Sequence, residues 1–326
     1  MRFELTDEQT GFAAAIDKLL SSSDASAVAR AWSVDDTGPG LALWKQLAGL
    51  GVNALLTEEA QGGAGAEPID MVVGFEQLGR HAVPGPWVES AVFLPVALGS
   101  DEAVGALAAG GIGTVCAPPH VPYALDADVA EQVYVVVDGV MRGATTGARH
   151  RSVDPTRRLF EVVSTSSTTG GQPTTGGQPT TDRAFDLAVL ATSAQLLGCG
   201  ERLLADSVSY VKQRKQFGRE IGSYQAIKHH LADVRIALDF ARPLIQGAAL
   251  TIDSPDRARD VSAAKVAVAE AAYLAARTGL QVHGAIGYTA EFDLSLWITK
   301  VRALVAAWGT PAYHRGRVLA ALTGER

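Results

Sequence analysis

Cysteine is scarce. Cys116 and Cys199 are the only two in 326 residues, and they lie far apart. That excludes a disulfide scaffold and gives no metal-ligand spacing. Aromatic residues make up only 6%, so a core must be packed mostly from Ala and aliphatic side chains. No apolar run reaches the roughly 18 to 20 residues that a bilayer-spanning helix needs. The opening Met1-Arg2-Phe3-Glu4-Leu5-Thr6-Asp7-Glu8 lacks a basic start followed by an apolar block, so no secretory signal is expected. Lys and Arg are scattered and the net charge is −7, which leaves no clustered basic face for nucleic acid. There is no Gly-x-Ser-x-Gly elbow, Walker loop or Cys-x-x-Cys. His229 and His230 are adjacent, so on a helix they point apart, and no metal site is expected. These absences lead to the expectation of a soluble cytoplasmic protein.

What is present is helix. Hydrophobic residues make up 47%, and the length allows two or three packed units. Residues 1–110 read as a helical unit. Thr6 can cap a helix with Gln9 completing a capping box, and Phe12, Ile16, Leu19 and Leu20 follow at helical spacing. Leu43, Trp44, Leu47 and Leu50 mark a second helix stopped by Gly51. Met71, Val72, Phe75 and Leu78 mark a third, closing near Gly79. Residues 111–182 read as a small β unit. Val133–Val137 runs as a strand into the Asp138-Gly139 turn, and Leu159–Val163 is another strand. Within this unit, 168–181 repeats Thr-Thr-Gly-Gly-Gln-Pro and then Thr-Thr, with no side chains that could build a core. It is expected to be a mobile loop. Residues 183–326 read as a helical bundle. Leu187, Leu190, Ala191, Ala194 and Leu197 share one face. Ser207, Tyr210 and Val211 continue a later helix, and long helices follow over 224–252 and 260–283.

Two segments could carry chemistry. Arg214-Lys215-Gln216-Phe217-Gly218 links two helices. An Arg there offers a planar fork for phosphate, Phe217 a flat face for a ring, and Gly218 close backbone approach. The same residues also suit a surface Arg beside a core Phe. Gln281-Val282-His283-Gly284-Ala285-Ile286-Gly287-Tyr288 has small residues that let a ligand or backbone approach closely. It also suits a loop that ends a helix. Two glycines without a preceding strand are no Rossmann fingerprint. His283 beside Gly284 reads as structural or ligand-lining rather than as a general base.

Together and in this order, about 65 residues apart, the two segments resemble the C-terminal domain of acyl-CoA dehydrogenases. The matching run continues through the Gln225-Ala226-Ile227 helix and down to Glu291. The stretches Leu43–Leu47, Glu58-Glu59, Gly62–Gly65 and Glu76–Arg80 are similar to that family's N-terminal helical domain. The resemblance implies a mainly α fold with a small β middle domain and a C-terminal four-helix bundle. It implies FAD shared across a subunit pair, an acyl-CoA substrate, and electron-transfer flavoprotein as acceptor. Arg214, Phe217, Gln225, Gln281, Gly284 and Ala285 match positions that reach the adenosine-diphosphate half of a neighbour's flavin. Gly309 and Thr310 match a Gly-Thr near the flavin.

The departures from the family pattern carry the functional expectation. The reaction needs a carboxylate to take the α-proton, and relatives place a Glu just before that Gly-Thr. Here the position is Trp308, which cannot accept a proton. Other relatives place the base near the position of Ala188, where the nearest carboxylate is Asp186. The polar flavin loop of the middle domain is replaced by Cys116-Ala117-Pro118-Pro119. Trp297-Ile298-Thr299 lies in the C-terminal domain, so it is not the family's ring-holding strand. The resemblance therefore points to the non-catalytic partner of a catalytic subunit, as in α2β2 enzymes of actinobacterial steroid (cholesterol) breakdown. Richness in Ala, Val, Arg and Gly agrees with such a source. A self-sufficient enzyme with a relocated base, or a flavin-free interaction protein, stays open as an alternative.

Overall fold

The computed structural model describes residues 3–99, 102–168 and 180–324. The first part holds α1 (Asp7–Ser22), α2 (Ala25–Ser33), α3 (Gly38–Gly49), α4 (Pro68–Arg80), α5 (Leu94–Leu98) and α6 (Glu102–Ala108). At the start of α1, the Gln9 backbone N–H donates to the Thr6 hydroxyl at 3.2 Å, and the Thr6 N–H donates to the Gln9 side chain at 3.0 Å. The pair satisfies donors that a helix start leaves orphaned. The stop expected at Gly51 falls slightly earlier. α3 ends at Gly49, Leu50 caps it, and Gly51 follows at φ 84°, where only a residue without Cβ sits freely. Just before α5, Glu89–Phe93 forms a wider π-helical turn whose residues are all buried.

The second part is one five-stranded sheet built from β1 (Gly113–Cys116), β2 (Ala124–Leu125), β3 (Gln132–Val137), β4 (Val140–His150) and β5 (Leu159–Thr168), in the order β1-β3-β4-β5-β2. β3 and β4 form the hairpin expected at Asp138-Gly139. Both turn residues have positive φ, 51° and 75°, as a two-residue hairpin turn of matching twist requires. The long strand β4 lacks an apolar alternation, and pairing on both edges holds it extended. Ser90 fastens the sheet to the first part: its hydroxyl donates to the Gly113 carbonyl at 2.6 Å and accepts from the Gly113 N–H at 3.0 Å. Buried Arg158 adds a second link, with Nε donating to Asp126 at 3.0 Å while its guanidinium lies over the Trp32 ring.

The third part holds α7 (Thr180–Gln213), α8 (Gln225–Leu250), α9 (Arg257–His283), α10 (Leu294–Ala306) and α11 (Pro311–Thr323). The expectation of two helices over 183–214, the first with one apolar face, is corrected here. A single helix of 34 residues spans the region, and residues 186–200 are buried on every side. α7 is therefore the central rod, packed by α4, α8, α9 and α10. α4 crosses it closely because Gly79 and Gly198 carry no Cβ: one added at Gly198 would lie 1.9 Å from the Glu76 carbonyl oxygen. Of the loop expected over 168–181, Thr168 instead closes β5 and Thr180 and Thr181 open α7. The third part accordingly starts before residue 183, and 169–179 lie outside the described residues. One continuous apolar core joins the first and third parts, and a smaller cluster lies within the sheet. Among the described residues, no helix is long and apolar enough to cross a membrane.

Candidate functional site

The residues singled out from sequence fall at the two ends of α7. At about 1.5 Å per residue, its 34 residues span roughly 50 Å. The C-terminus of α7, the N-terminus of α8 and the C-terminus of α9 meet at one end. Tyr210 stacks on His283 there at 4.1 Å, which brings the Arg214 and Gln281 segments together.

At that end, β6 (Lys215–Gln216) and β7 (Arg219–Glu220) form a minimal hairpin. Phe217 and Gly218 are its turn, at φ 51° and 79°. Phe217 is 93% exposed, so it is not a core residue. The Arg214 backbone is fixed on both sides: its N–H donates to the Tyr210 carbonyl at 2.9 Å, and its carbonyl accepts from the Ile221 N–H at 2.8 Å. Its side chain is exposed and makes no ion pair among the described residues. Gln225 is exposed at the first turn of α8. Gln281 and Gly284 line an open recess of about 400 Å³ with Arg277, Leu280 and Tyr288, and Ala285 is exposed beside it. Gly284, at φ 64°, brings bare backbone to the recess wall. His283 is structural: Nδ1 donates to the Gly279 carbonyl at 2.7 Å, and burial lowers its pKa.

The other end is braced by buried polar contacts. Trp308 is buried at φ 58° against Phe93, with ring centroids 5.0 Å apart. Its loop is braced from beneath. Lys265 donates to the Leu304 and Ala307 carbonyls at 2.7 and 3.0 Å, satisfying the orphan acceptors at the end of α10. His314 Nε2 donates to the Trp308 carbonyl at 3.0 Å, and Nδ1 pairs with the Ser262 hydroxyl at 3.1 Å. Burial pushes Lys265 down to about 7, aided by the Arg157 charge. Burial, then the Lys265 charge, pushes His314 down to about 3. Gly309 is buried at φ 104°, and Thr310 caps α11 by accepting from the Tyr313 N–H. Asp186, the nearest carboxylate to the alternative base position, is buried between Arg257 at 2.8 Å and Arg317 at 2.8 Å. With both oxygens facing guanidinium groups, it is placed as a brace.

Sequence reading passed over one acid at this end. Glu89 is buried on the π-helical turn, and its Oε2 has no hydrogen-bond partner. Burial raises its pKa, while Arg157 and, least, the Trp308 side chain act against that rise. The available signal was a lone carboxylate inside the apolar run Val88-Glu89-Ser90-Ala91-Val92-Phe93-Leu94. Its surroundings come from distant segments, including Arg157 and Trp308.

Comparison with known proteins covers both helical parts. Residues 6–104 match the family described as acyl-CoA dehydrogenase, N-terminal domain, and residues 175–323 match acyl-CoA dehydrogenase, C-terminal domain. The acyl-CoA dehydrogenase IpdE2 of Mycobacterium tuberculosis is 32% identical over 293 residues, which is 87% of this chain and 88% of the relative. Among solved structures, the Tcur3481-Tcur3483 steroid ACAD G363A variant superposes with a TM-score of 0.84 at 18% identity, covering 98% of each chain. The ChsE4-ChsE5 complex from Mycobacterium tuberculosis gives 0.82 at 20% identity, covering 99% of each. At these identities the structures speak for the fold alone, while the sequence matches reach further. This chain belongs to the acyl-CoA dehydrogenase family.

Proposed function

We propose that the chain is a required but non-catalytic subunit of a heteromeric, FAD-dependent acyl-CoA dehydrogenase. A second, catalytic subunit holds most of the substrate, in an α2β2 assembly whose electrons pass to electron-transfer flavoprotein. The observation carrying this reading is Trp308. The indole fills the place where the family keeps its proton-accepting carboxylate, and Asp186 is committed to Arg257 and Arg317. Two similar structures support the heteromeric and steroid elements: one is of a steroid enzyme with two components, the other of a complex of two proteins. A steroid-derived acyl-CoA is the corresponding substrate.

The exposed end of α7 fits the adenosine-diphosphate half of a flavin. Arg214 offers a free guanidinium to the diphosphate, Phe217 a bare ring face to adenine, and the Gln281–Ala285 recess close backbone approach. Gln225 lies on the same side. Bound flavin supplies the acceptor for the hydride leaving the acyl β-carbon. Gly309 and Thr310 stand at the far end of the rod, so they are not part of this arm.

The test is expression of the chain alone and beside its candidate partner, recording flavin absorbance, assembly mass and turnover. Flavin and turnover are expected only in the co-complex. Arg214→Ala there should weaken flavin binding by roughly 10- to 150-fold, about 1.5 to 3 kcal/mol for one charge-assisted hydrogen bond. A yellow, active chain on its own would favour a relocated base and sink the proposal. A colourless co-complex would instead favour a flavin-free interaction protein.

A further inference from the structure

We infer that Arg30, on α2 in the first part, is a positioning residue for the flavin arm: it clamps the loop that follows Tyr288 and so fixes the outer wall of the recess beside Gln281. This role rests on the reading of that end of α7 as a flavin-binding arm, and it adds a residue that stands 260 positions before the loop it holds. Past α9 the chain turns over Gly284–Tyr288 as a 3-10 helix. Such a turn holds itself weakly, because its hydrogen bonds are poorly aligned. Gly284 and Tyr288 line the recess, and Tyr288 is 76% exposed. The residues between this turn and α10 make short-range bonds. The Thr289 N–H and hydroxyl both donate to the Ile286 carbonyl, at 3.1 and 2.9 Å, and the Ser295 hydroxyl donates to the Ala290 carbonyl at 3.3 Å. Bonds of this kind shape the loop without fixing where it sits.

Arg30 supplies the anchor. Its Nη1 donates to the Ala290 carbonyl at 2.7 Å and its Nη2 to the Glu291 carbonyl at 2.9 Å. Nη2 and Nε both donate to the Asp293 carboxylate, at 2.7 and 3.1 Å. One planar fork thus ties Ala290, Glu291 and Asp293 together, which the single point charge of a lysine would not do. The fork stands on a rigid base. Val28, Ala29 and Trp32 of α2 are buried, and the Trp32 indole donates to Asp126 at 3.2 Å with the Arg158 guanidinium over its ring. From within, Phe292 of the same loop packs on the His283 ring at 5.4 Å, and Tyr210 stacks on that ring. The loop is therefore caught between α2 and the junction of α7 with α9. The Arg30 and Asp293 side chains remain 35% and 53% exposed, and an ion pair so exposed adds little to folding. Two main-chain carbonyls and a carboxylate gathered by one side chain on a solvent-facing loop serve position more than stability.

In the chain alone, Arg30→Gln should speed hydrogen exchange at the Thr289, Phe292 and Ser295 amides, which the loop's own bonds cover, while the urea midpoint stays nearly unchanged. In the co-complex, Arg30→Gln should weaken FAD binding about fivefold, the order of one neutral hydrogen bond. Combined variants read the route. On a Tyr288→Ala background the Arg30→Gln effect on FAD should vanish, because the wall that Arg30 positions is gone. On a Phe217→Asn background, which alters the hairpin instead, it should persist in full. A residue that only stabilised the fold would act alike on both backgrounds. Unchanged exchange in the isolated chain would overturn the inference whatever the flavin result, and so would an Arg30→Gln effect that survives Tyr288→Ala. Faster exchange with unchanged FAD affinity, while Arg214→Ala still weakens it, would overturn the positioning role and leave the flavin arm standing. If neither Arg30→Gln nor Arg214→Ala changed FAD affinity, the arm itself would fall, and this role with it.

Discussion

At one end of α7, Asp186 is held by two arginines, Lys265 and His314 brace the loop of Trp308, and the indole is buried against Phe93. At the other end, Arg214 makes no ion pair among the described residues, Phe217 is 93% exposed, Gln225 is exposed, and Gln281 lines an open recess. Folding rewards the first arrangement: each buried polar group finds a partner or costs stability. The second gives the isolated chain little. A bare aromatic on a hairpin tip and an unpaired guanidinium contribute almost nothing to folding, so their value lies in something outside the chain. The same helix carries both ends, and its all-round burial over 186–200 keeps their spacing rigid.

The largest effect is expected from disturbing the braced end. Asp186→Asn keeps the shape and removes the charge, leaving Arg257 and Arg317 facing a neutral amide. Losing one partner of a fully buried ion pair costs about 3 to 5 kcal/mol. The two arginine side chains here remain 15% and 21% exposed, so a loss of about 2 to 3 kcal/mol is expected after screening. Urea unfolding of the chain would show it as a lower midpoint with unchanged slope. If Asp186 were the proton acceptor instead, the co-complex of this variant would lose turnover while the unfolding midpoint stayed in place.

A second prediction uses pH at the same end. The folded chain holds His314 near 3, whereas an unfolded histidine titrates near 6.5. Between those values the unfolded chain takes up a proton that the folded chain refuses, so this group's contribution is intact above 6.5 and lost as pH falls toward 3. Two acids oppose it. Asp126 is raised to about 6 from 3.8 by burial, and Glu89 is raised in the same direction. Both favour the folded chain as pH falls through that window. The charged neighbours of His314 are Lys265 and Arg317, with His120 nearby. His314→Asn should lose stability at pH 7. The gap to the unmodified chain should narrow by a few kcal/mol on going to pH 4, at roughly 1.4 per pKa unit. Unfolding midpoints of both proteins at a series of pH values decide it. A gap that stays constant would mean that His314 is not held neutral.

Local chemistry made much of this legible from sequence. The Thr6–Gln9 capping box, the Asp138-Gly139 hairpin and the Arg214 segment are each written in a few consecutive residues. Where packing decides, the pattern misleads. α7 lost its helical period because burial on all sides leaves no polar face, and even Thr192, Ser193 and Gln195 are buried. β4 is a strand because β3 and β5 flank it, and its own residues do not alternate. The two site segments were read at their correct local structure, and the Tyr210–His283 stack that unites them was not foreseen. Glu89 was invisible as a site residue because the surfaces around it come from the sheet and from α10, far away in sequence.

The smallest effect tests the open end in isolation. Phe217 sits at φ 51°, where Cβ crowds the backbone and a bulky residue costs about 1 to 2 kcal/mol. It is too exposed to recover that cost by burial within this chain. Asn tolerates the left-handed region far better. Phe217→Asn should therefore leave the chain alone unchanged or stabilise it by up to about 1 kcal/mol, measured by thermal unfolding. In the co-complex the same change should weaken flavin binding, because the flat ring face is gone. The two measurements moving in opposite directions is the signature of a residue that strains its own fold for the sake of a neighbour's ligand. A loss of stability in the isolated chain would show that the tip packs at home, and the contrast between the two ends of α7 would collapse.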